Sequence, residues 1–322
     1  MPNNKKRPAR PAAASGRRPT NKSSARRRPA PTAAPATGLA RLNHEHPMLV
    51  RLVPVALVVV IIVVMIVIKT SGSPKGGGSG GGSGSSALPA GVLSAATSVS
   101  PATLASVGVP KGINPPSAVK GTPALLKASD GKPEVLYIGA EYCPFCAAER
   151  WAMVVALSRF GTFSGLTATH SGTLDVFPGT QTFSFYKSTY SSPYLHFTPV
   201  EVKTNEVVGG AYTNLESLTA AQSALQGKYD VAPYTTQPGS IPFMDIGNRY
   251  LINGASYTPQ VLQGLSMQAI AADLNKPSTQ VALGVDGTAN MLTASFCTIT
   301  GNRPASVCGS PTIAAVAKSL PK

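Results

Sequence analysis

Residues 87–322 are predicted to form an α/β fold, and three adjacent features support this. Val135–Ala140 is a short apolar run with the length and β-formers of a strand. Cys143-Pro144-Phe145-Cys146 follows it. Ala147–Leu157 then reads as a helix. Strand, C-x-x-C, helix is the setting in which two close cysteines act as a redox pair. Cys143 is placed at the helix start, where unpaired N–H groups and the positive dipole end favour a thiolate. Cys146 follows one turn later, within reach of a disulfide with Cys143, and Pro144 suits a first helical turn. The spacing predicts that Cys143 attacks a substrate disulfide and that Cys146 resolves the mixed disulfide.

The chain of 322 residues has 28 Lys and Arg against 13 Asp and Glu, a net charge of +15. Twelve of those bases and one acid, Glu45, lie in residues 1–51, so the rest of the chain carries only +4. The basicity belongs to the tail, which argues against a nucleic-acid-binding core; a membrane flank explains the same charges. The four cysteines fall into two spaced pairs, Cys143/Cys146 and Cys297/Cys308, as suits an oxidising compartment.

Taken in order, residues 1–47 are rich in Pro, Ala, Ser, Lys and Arg. They have too little apolar surface to offset ordering entropy, so a disordered cytoplasmic tail is expected. His44-Glu45-His46 within it reads as solvated rather than metal-binding. Leu52–Ile68 is uncharged and long enough for one bilayer crossing, and a transmembrane helix is expected over 48–69. It exceeds the apolar stretch of a signal peptide, and no Ala-x-Ala follows it. The basic flank puts the N-terminus in the cytoplasm and the C-terminal domain outside the cell membrane. Residues 70–86, mostly Gly and Ser, read as a flexible tether spanning roughly 20–25 Å.

Within 87–322, Ser100-Pro101 predicts a capped helix through Val107, and Pro110, Pro115, Pro116 and Pro123 predict loop. The helix after the motif is expected to run to Phe160 and stop at Gly161. Leu166–His170, Thr182–Tyr186 and Leu195–Val202 read as strands whose aromatics pack the core. Asn214–Gln226 carries a helical apolar stripe. Met244–Ile246, Gly247-Asn248 and Arg249–Ile252 form a hairpin signal preceded by Ile241-Pro242. Pro259–Gly264, Met267–Leu274, Pro277–Leu283 and Ala289–Thr300 read as separate short helices, followed by a turn at Gly301–Pro304.

The block from Gly131 to Trp151, with Ser158-Arg159-Phe160-Gly161, Thr182–Tyr186 and Ile241-Pro242-Phe243, resembles a prokaryotic thioredoxin-like family catalogued as domain of unknown function 929. The resemblance covers about 98–315 and implies a thioredoxin-like fold with helical additions. It also implies that Pro242 is cis and faces the C-x-x-C, and that the N-terminus carries a membrane anchor. The chain departs from thioredoxin itself in having Glu141-Tyr142 before Cys143 and a long insertion before Pro242.

The expected function is therefore a membrane-anchored extracytoplasmic thiol–disulfide oxidoreductase. Cys143 and Cys146 are its catalytic pair, Ile241-Pro242 shapes the substrate-binding edge, and Cys297–Cys308 is a structural disulfide. Its partners would be cysteine-containing proteins and a membrane or extracytoplasmic redox partner. No nucleic acid, cofactor or metal is expected. Reduction potential, which residues do not set by themselves, decides between oxidase, reductase and isomerase. Three other readings stay open. The domain is a non-catalytic binding module with two structural disulfides, the four sulfurs hold zinc, or Cys297/Cys308 relays electrons to the C-x-x-C. His170 and His196 are isolated, Glu141 and Glu149 flank the motif as candidates for tuning its acidity, and the competing reading of Glu141 is an exposed carboxylate.

Overall fold

The structure, a computed structural model, describes residues 84–121 and 123–322. The expected tail, the span over 48–69 and residues 70–83 of the expected tether lie outside the described residues. Among the described residues no helix is long and apolar enough to cross a membrane. Ser86, at the end of the expected tether, exchanges two backbone hydrogen bonds with Ala168.

The elements follow from local signals. Helices α1 (Val92–Thr97) and α2 (Pro101–Val107) come first, and Ser100 caps α2 by accepting from the Thr103 N–H. Strands β1 (Ser117–Ala118) and β2 (Glu134–Gly139) lead to α3 (Pro144–Leu157). Then come β3 (Thr162–Ser164), β4 (Thr167–His170), β5 (Gln181–Ser184), β6 (Thr189–Ser191) and β7 (His196–Glu201). Next are β8 (Lys203–Val208), β9 (Ala211–Asn214), α4 (Ala220–Tyr229), β10 (Phe243–Ile246) and β11 (Tyr250–Asn253). A 3-10 turn (Pro259–Leu262), α5 (Met267–Asp273), α6 (Gln280–Ile299), α7 (Ala305–Cys308) and α8 (Pro311–Ser319) complete the chain.

The main sheet has the order β1-β11-β10-β2-β7, with β2 and β7 parallel and the other pairs antiparallel. β2 lies inside the sheet, which explains why its residues are apolar on both faces. Val135 and Tyr137 face a core that includes α3 and α6; Leu136 and Ile138 face a smaller one with Val200, Tyr229 and Phe243. The architecture is mixed α/β, as expected. The long insertion contributes three two-stranded ribbons, β3–β6, β4–β5 and β8–β9.

Several sequence expectations hold. The β10–β11 hairpin turns through Gly247, Asn248 and Arg249, with Gly247 and Asn248 both at positive φ and the Arg249 N–H donating to the Ile246 carbonyl. Phe183, Phe185 and Phe197 are core residues. Cys297 and Cys308 form a disulfide that ties the end of α6 to α7.

Two expectations need correction. The helix expected from Asn214 starts at Ala220, because Thr219 and Gln222 form a capping box and Asn214 instead pairs with Lys203 in the β8–β9 ribbon. The helices expected over Pro277–Leu283 and Ala289–Thr300 are a single helix, α6. Its two glycines do not break it. A Cβ on Gly284 would lie 2.7 Å from the Tyr257 ring, and one on Gly287 would lie 2.6 Å from Pro110. Close packing rather than chain reversal accounts for both.

Candidate active site

β2 delivers the chain to the C-x-x-C. After Gly139 it tightens, with the Cys143 N–H donating to the Ala140 carbonyl, and α3 begins at Pro144. Cys143 is the N-cap, and its Sγ accepts the Cys146 N–H at 3.3 Å. That bond satisfies one of the unpaired amides of the first helical turn and places the sulfur at the positive end of α3. Both cysteines are free thiols; Cys146 is fully buried and Cys143 is 4% exposed.

Across from the motif, the Ile241–Pro242 peptide is cis, as the family resemblance implied. It leads into β10, whose Phe243 pairs with Ile138 of β2. This register brings the Ile241 carbonyl within 3.5 Å of the Cys143 Sγ, which donates to it as a thiol. Four predicted site residues, Cys143, Cys146, Ile241 and Pro242, are therefore together. Cys297 and Cys308 belong to the α6–α7 junction. With their sulfurs bonded to each other, they remove two of the four ligands that the zinc reading needs. Among the described residues no cluster of three or more His, Cys, Asp or Glu is placed to hold a metal ion.

The two thiols are pushed apart in acidity. Hydrogen bonding from the Cys146 thiol draws the Cys143 pKa below its ordinary value, helped by the Cys146 amide and Arg150 and opposed by burial. Burial raises the Cys146 thiol well above its ordinary value, and the Cys143 sulfur beside it adds to the rise. A nucleophile should be the more acidic sulfur, and a resolving thiol should stay protonated until it is needed.

Sequence reading missed the charge beneath the motif. Arg150, one turn past Cys146 on α3, is fully buried and forms a fork with Glu201 at the end of β7. Its Nε and Nη2 each donate to a Glu201 carboxylate oxygen at 2.8 Å, and Nη2 also donates to the Ala140 carbonyl at 2.7 Å. The Glu201 amide in turn donates to Glu216 at 2.7 Å. The i, i+4 spacing of Cys146 and Arg150 was a readable signal for a shared helix face. Glu201 was not readable, because its partner lies 51 residues away.

Glu141 is a correction. It is buried rather than exposed, and accepts from the Ser184 hydroxyl at 2.6 Å. Glu149 also faces inward, accepting from the Ser256 amide and hydroxyl; burial raises its pKa to about 7. Neither histidine is bonded at the motif. His196 pairs with Asp130, and His170 meets the Ser171 carbonyl and Asn205.

The rim is apolar. Phe145 is 38% exposed and packs edge-on against Phe177, in the loop that also carries Leu174 and Val176, 59% and 67% exposed. Tyr142 stacks on Tyr212 of β9 at 4.2 Å, and the Gly172 amide donates to the Tyr142 carbonyl at 2.6 Å. The β8–β9 ribbon was also missed, although Gly209-Gly210 between two Val and Ala-Tyr is a hairpin signal.

No curated protein and no solved structure matches the chain. A family model, domain of unknown function (DUF929), matches residues 123–298, more than half of the chain, and takes in the C-x-x-C, the Arg150–Glu201 pair and Pro242. The protein is a member of the domain of unknown function 929 family.

Proposed function

We propose that this protein is a membrane-anchored, extracytoplasmic thiol–disulfide oxidoreductase with a thioredoxin-like domain. The observation that carries the reading is the position of the Cys143 Sγ. It caps a helix N-terminus beside a buried arginine and faces the carbonyl that precedes a cis proline. The strand before the motif, the helix after it and the proline opposite it support the thioredoxin-like part. The uncharged run over 48–69 with its basic flank supports the anchor, and the Cys297–Cys308 disulfide suits an oxidising compartment.

In the reducing direction, the Cys143 thiolate attacks one sulfur of a substrate disulfide. The substrate S–S bond breaks, a Cys143–substrate disulfide forms, and the released substrate thiolate takes up a proton. Cys146 then loses its proton and attacks the Cys143 sulfur. The second substrate thiolate leaves, and the Cys143–Cys146 disulfide remains. Two electrons have passed to the substrate, and a dithiol partner restores the pair; oxidation is the same sequence reversed. The apolar rim at Phe145, Leu174 and Val176 suits a polypeptide segment with apolar residues near its cysteine.

The test is turnover by the full-length protein in detergent, measured as insulin reduction and as refolding of a scrambled disulfide protein. Wild type is expected to turn over in at least one assay, and Cys143→Ala in neither. Wild type equal to Cys143→Ala in both would end the proposal.

One observation favours a second reading, a binding module with an inert cysteine pair: Cys143 exposes only 4% of its surface. Selective alkylation of Cys143 at pH 6 after mild reduction distinguishes the two, because an inert pair would resist it.

A further inference from the structure

Arg159 belongs to the Ser158–Gly161 segment that the redox reading leaves unused. It lies just past the last turn of α3, at the opposite end from Cys143. Its Nη1 donates to Thr293 Oγ1 at 3.1 Å and to Asn290 Oδ1 at 3.5 Å, both on α6. Both partners are neutral. Among the described residues no carboxylate forms an ion pair with Arg159. Burial alone lowers its pKa, to about 10, with no charged group contributing. The contrast with Arg150 on the same helix is direct: Arg150 is buried and carries a carboxylate fork, while Arg159 is partly buried and carries none. The end of α3 offers only the fractional negative charge of a helix C-terminus. A partly desolvated guanidinium without a counter-charge is costly, and its planar fork fits carboxylate or phosphate oxygens.

Arg159 lines a cleft of about 470 Å³ between α2, α6 and the α7–α8 junction. Leu104, Val307 and Ile313 give it apolar walls, and Ser158, Ser306 and Thr312 add hydroxyls. A second hollow of about 230 Å³ shares Thr97 and Ser158 with it and adds Leu93 and Phe163. Together they present one cation at the edge of mostly apolar space, which is the usual balance of a small-molecule site.

We propose that this cleft binds a small organic anion, with its carboxylate or phosphate headgroup on Arg159 and its apolar body against Leu104, Val307 and Ile313. The site is independent of the thiol chemistry, so either can fail without the other.

Equilibrium dialysis of labelled octanoate against the full chain in nanodiscs reads the site as a saturable component above non-saturable lipid partition. One site per chain is expected. Arg159→Gln should weaken it at least tenfold, and Arg159→Lys should weaken it less. Ala105→Phe, on the α2 wall, fills the cleft without touching the Arg159 bonds and should abolish binding while Tm stays near wild type; it carries the test should Arg159→Gln fail to fold. Octylamine should show no saturable site. Hexyl phosphate bound more tightly than octanoate would assign the headgroup to phosphate, and the reverse to carboxylate. Three results overturn the proposal: no saturable binding of either anion, binding unchanged in Ala105→Phe, or inorganic phosphate binding as tightly as both.

Discussion

Cys143 caps the start of α3 with Cys146 in its first turn, whereas Cys297 lies in the last turn of α6 and Cys308 ends α7. All four are buried. The first pair meets the positive end of a helix, a buried guanidinium and a carbonyl held by the proline loop. The second pair meets the negative end of a helix, in a cluster with apolar neighbours such as Ile313 and Val316. Burial therefore does not distinguish the two pairs. The helix end and the nearby charge do, because both act on the thiolate.

Breaking the comparison at the sulfurs has the largest expected effect. Cys143→Ala should reduce turnover to the uncatalysed background, and Cys146→Ala should trap mixed disulfides visible on non-reducing gels. Cys297→Ala/Cys308→Ala should leave turnover within about twofold of wild type, since that pair only closes a short loop. Loss of turnover in the last variant would support an electron relay instead.

The second effect concerns the charge that only one pair possesses. Glu201→Ala leaves the Arg150 guanidinium buried and unpaired, at a cost of about 3–5 kcal/mol by denaturant titration. Arg150→Met/Glu201→Leu should recover most of that stability while raising the Cys143 pKa, read from thiolate absorbance against pH. An unchanged Cys143 pKa in the double variant would show that the Cys146 thiol and the helix start suffice without Arg150.

These expectations also show where sequence reading ran out. The motif, its strand and its helix were legible because they are contiguous from Val135 to Leu157. The cis proline was legible only through the family resemblance. The Arg150–Glu201 pair was not, since β2 and β7 come together only when the sheet forms. Glu141 looked like an exposed acid because nothing local shows that Ser184 will cover it. The continuity of α6 across Gly284 and Gly287 was not legible, because Tyr257 and Pro110, which pack against those glycines, are distant in sequence.

The third effect lies with the structural pair. Cys297→Ala/Cys308→Ala should lower stability by about 3 kcal/mol, seen as a lower denaturation midpoint at unchanged Cys143 reactivity. A drop in Cys143 reactivity would couple the two regions.

The last effect is in pH dependence. Burial raises Glu149 and Asp245 to about 7 and Asp286 to about 8. Each binds its proton more tightly folded than unfolded, so folding takes up protons between the ordinary carboxyl range and about pH 8. Stability should therefore fall as pH rises through that window, with each of the three groups contributing in the same direction. Glu149→Gln should flatten the fall, since the amide oxygen still accepts from Ser256. A pH profile as steep as wild type would place the effect on the other two carboxyls.

The most direct test is alkylation of the fully reduced, folded protein with iodoacetamide from pH 5 to 10, with the labelled site mapped by mass spectrometry. The account predicts that Cys143 reacts ahead of Cys146 and titrates below the free-thiol value of about 8.5. Equal labelling of the two cysteines, or a Cys143 that reacts only above that value or only after unfolding, would contradict it.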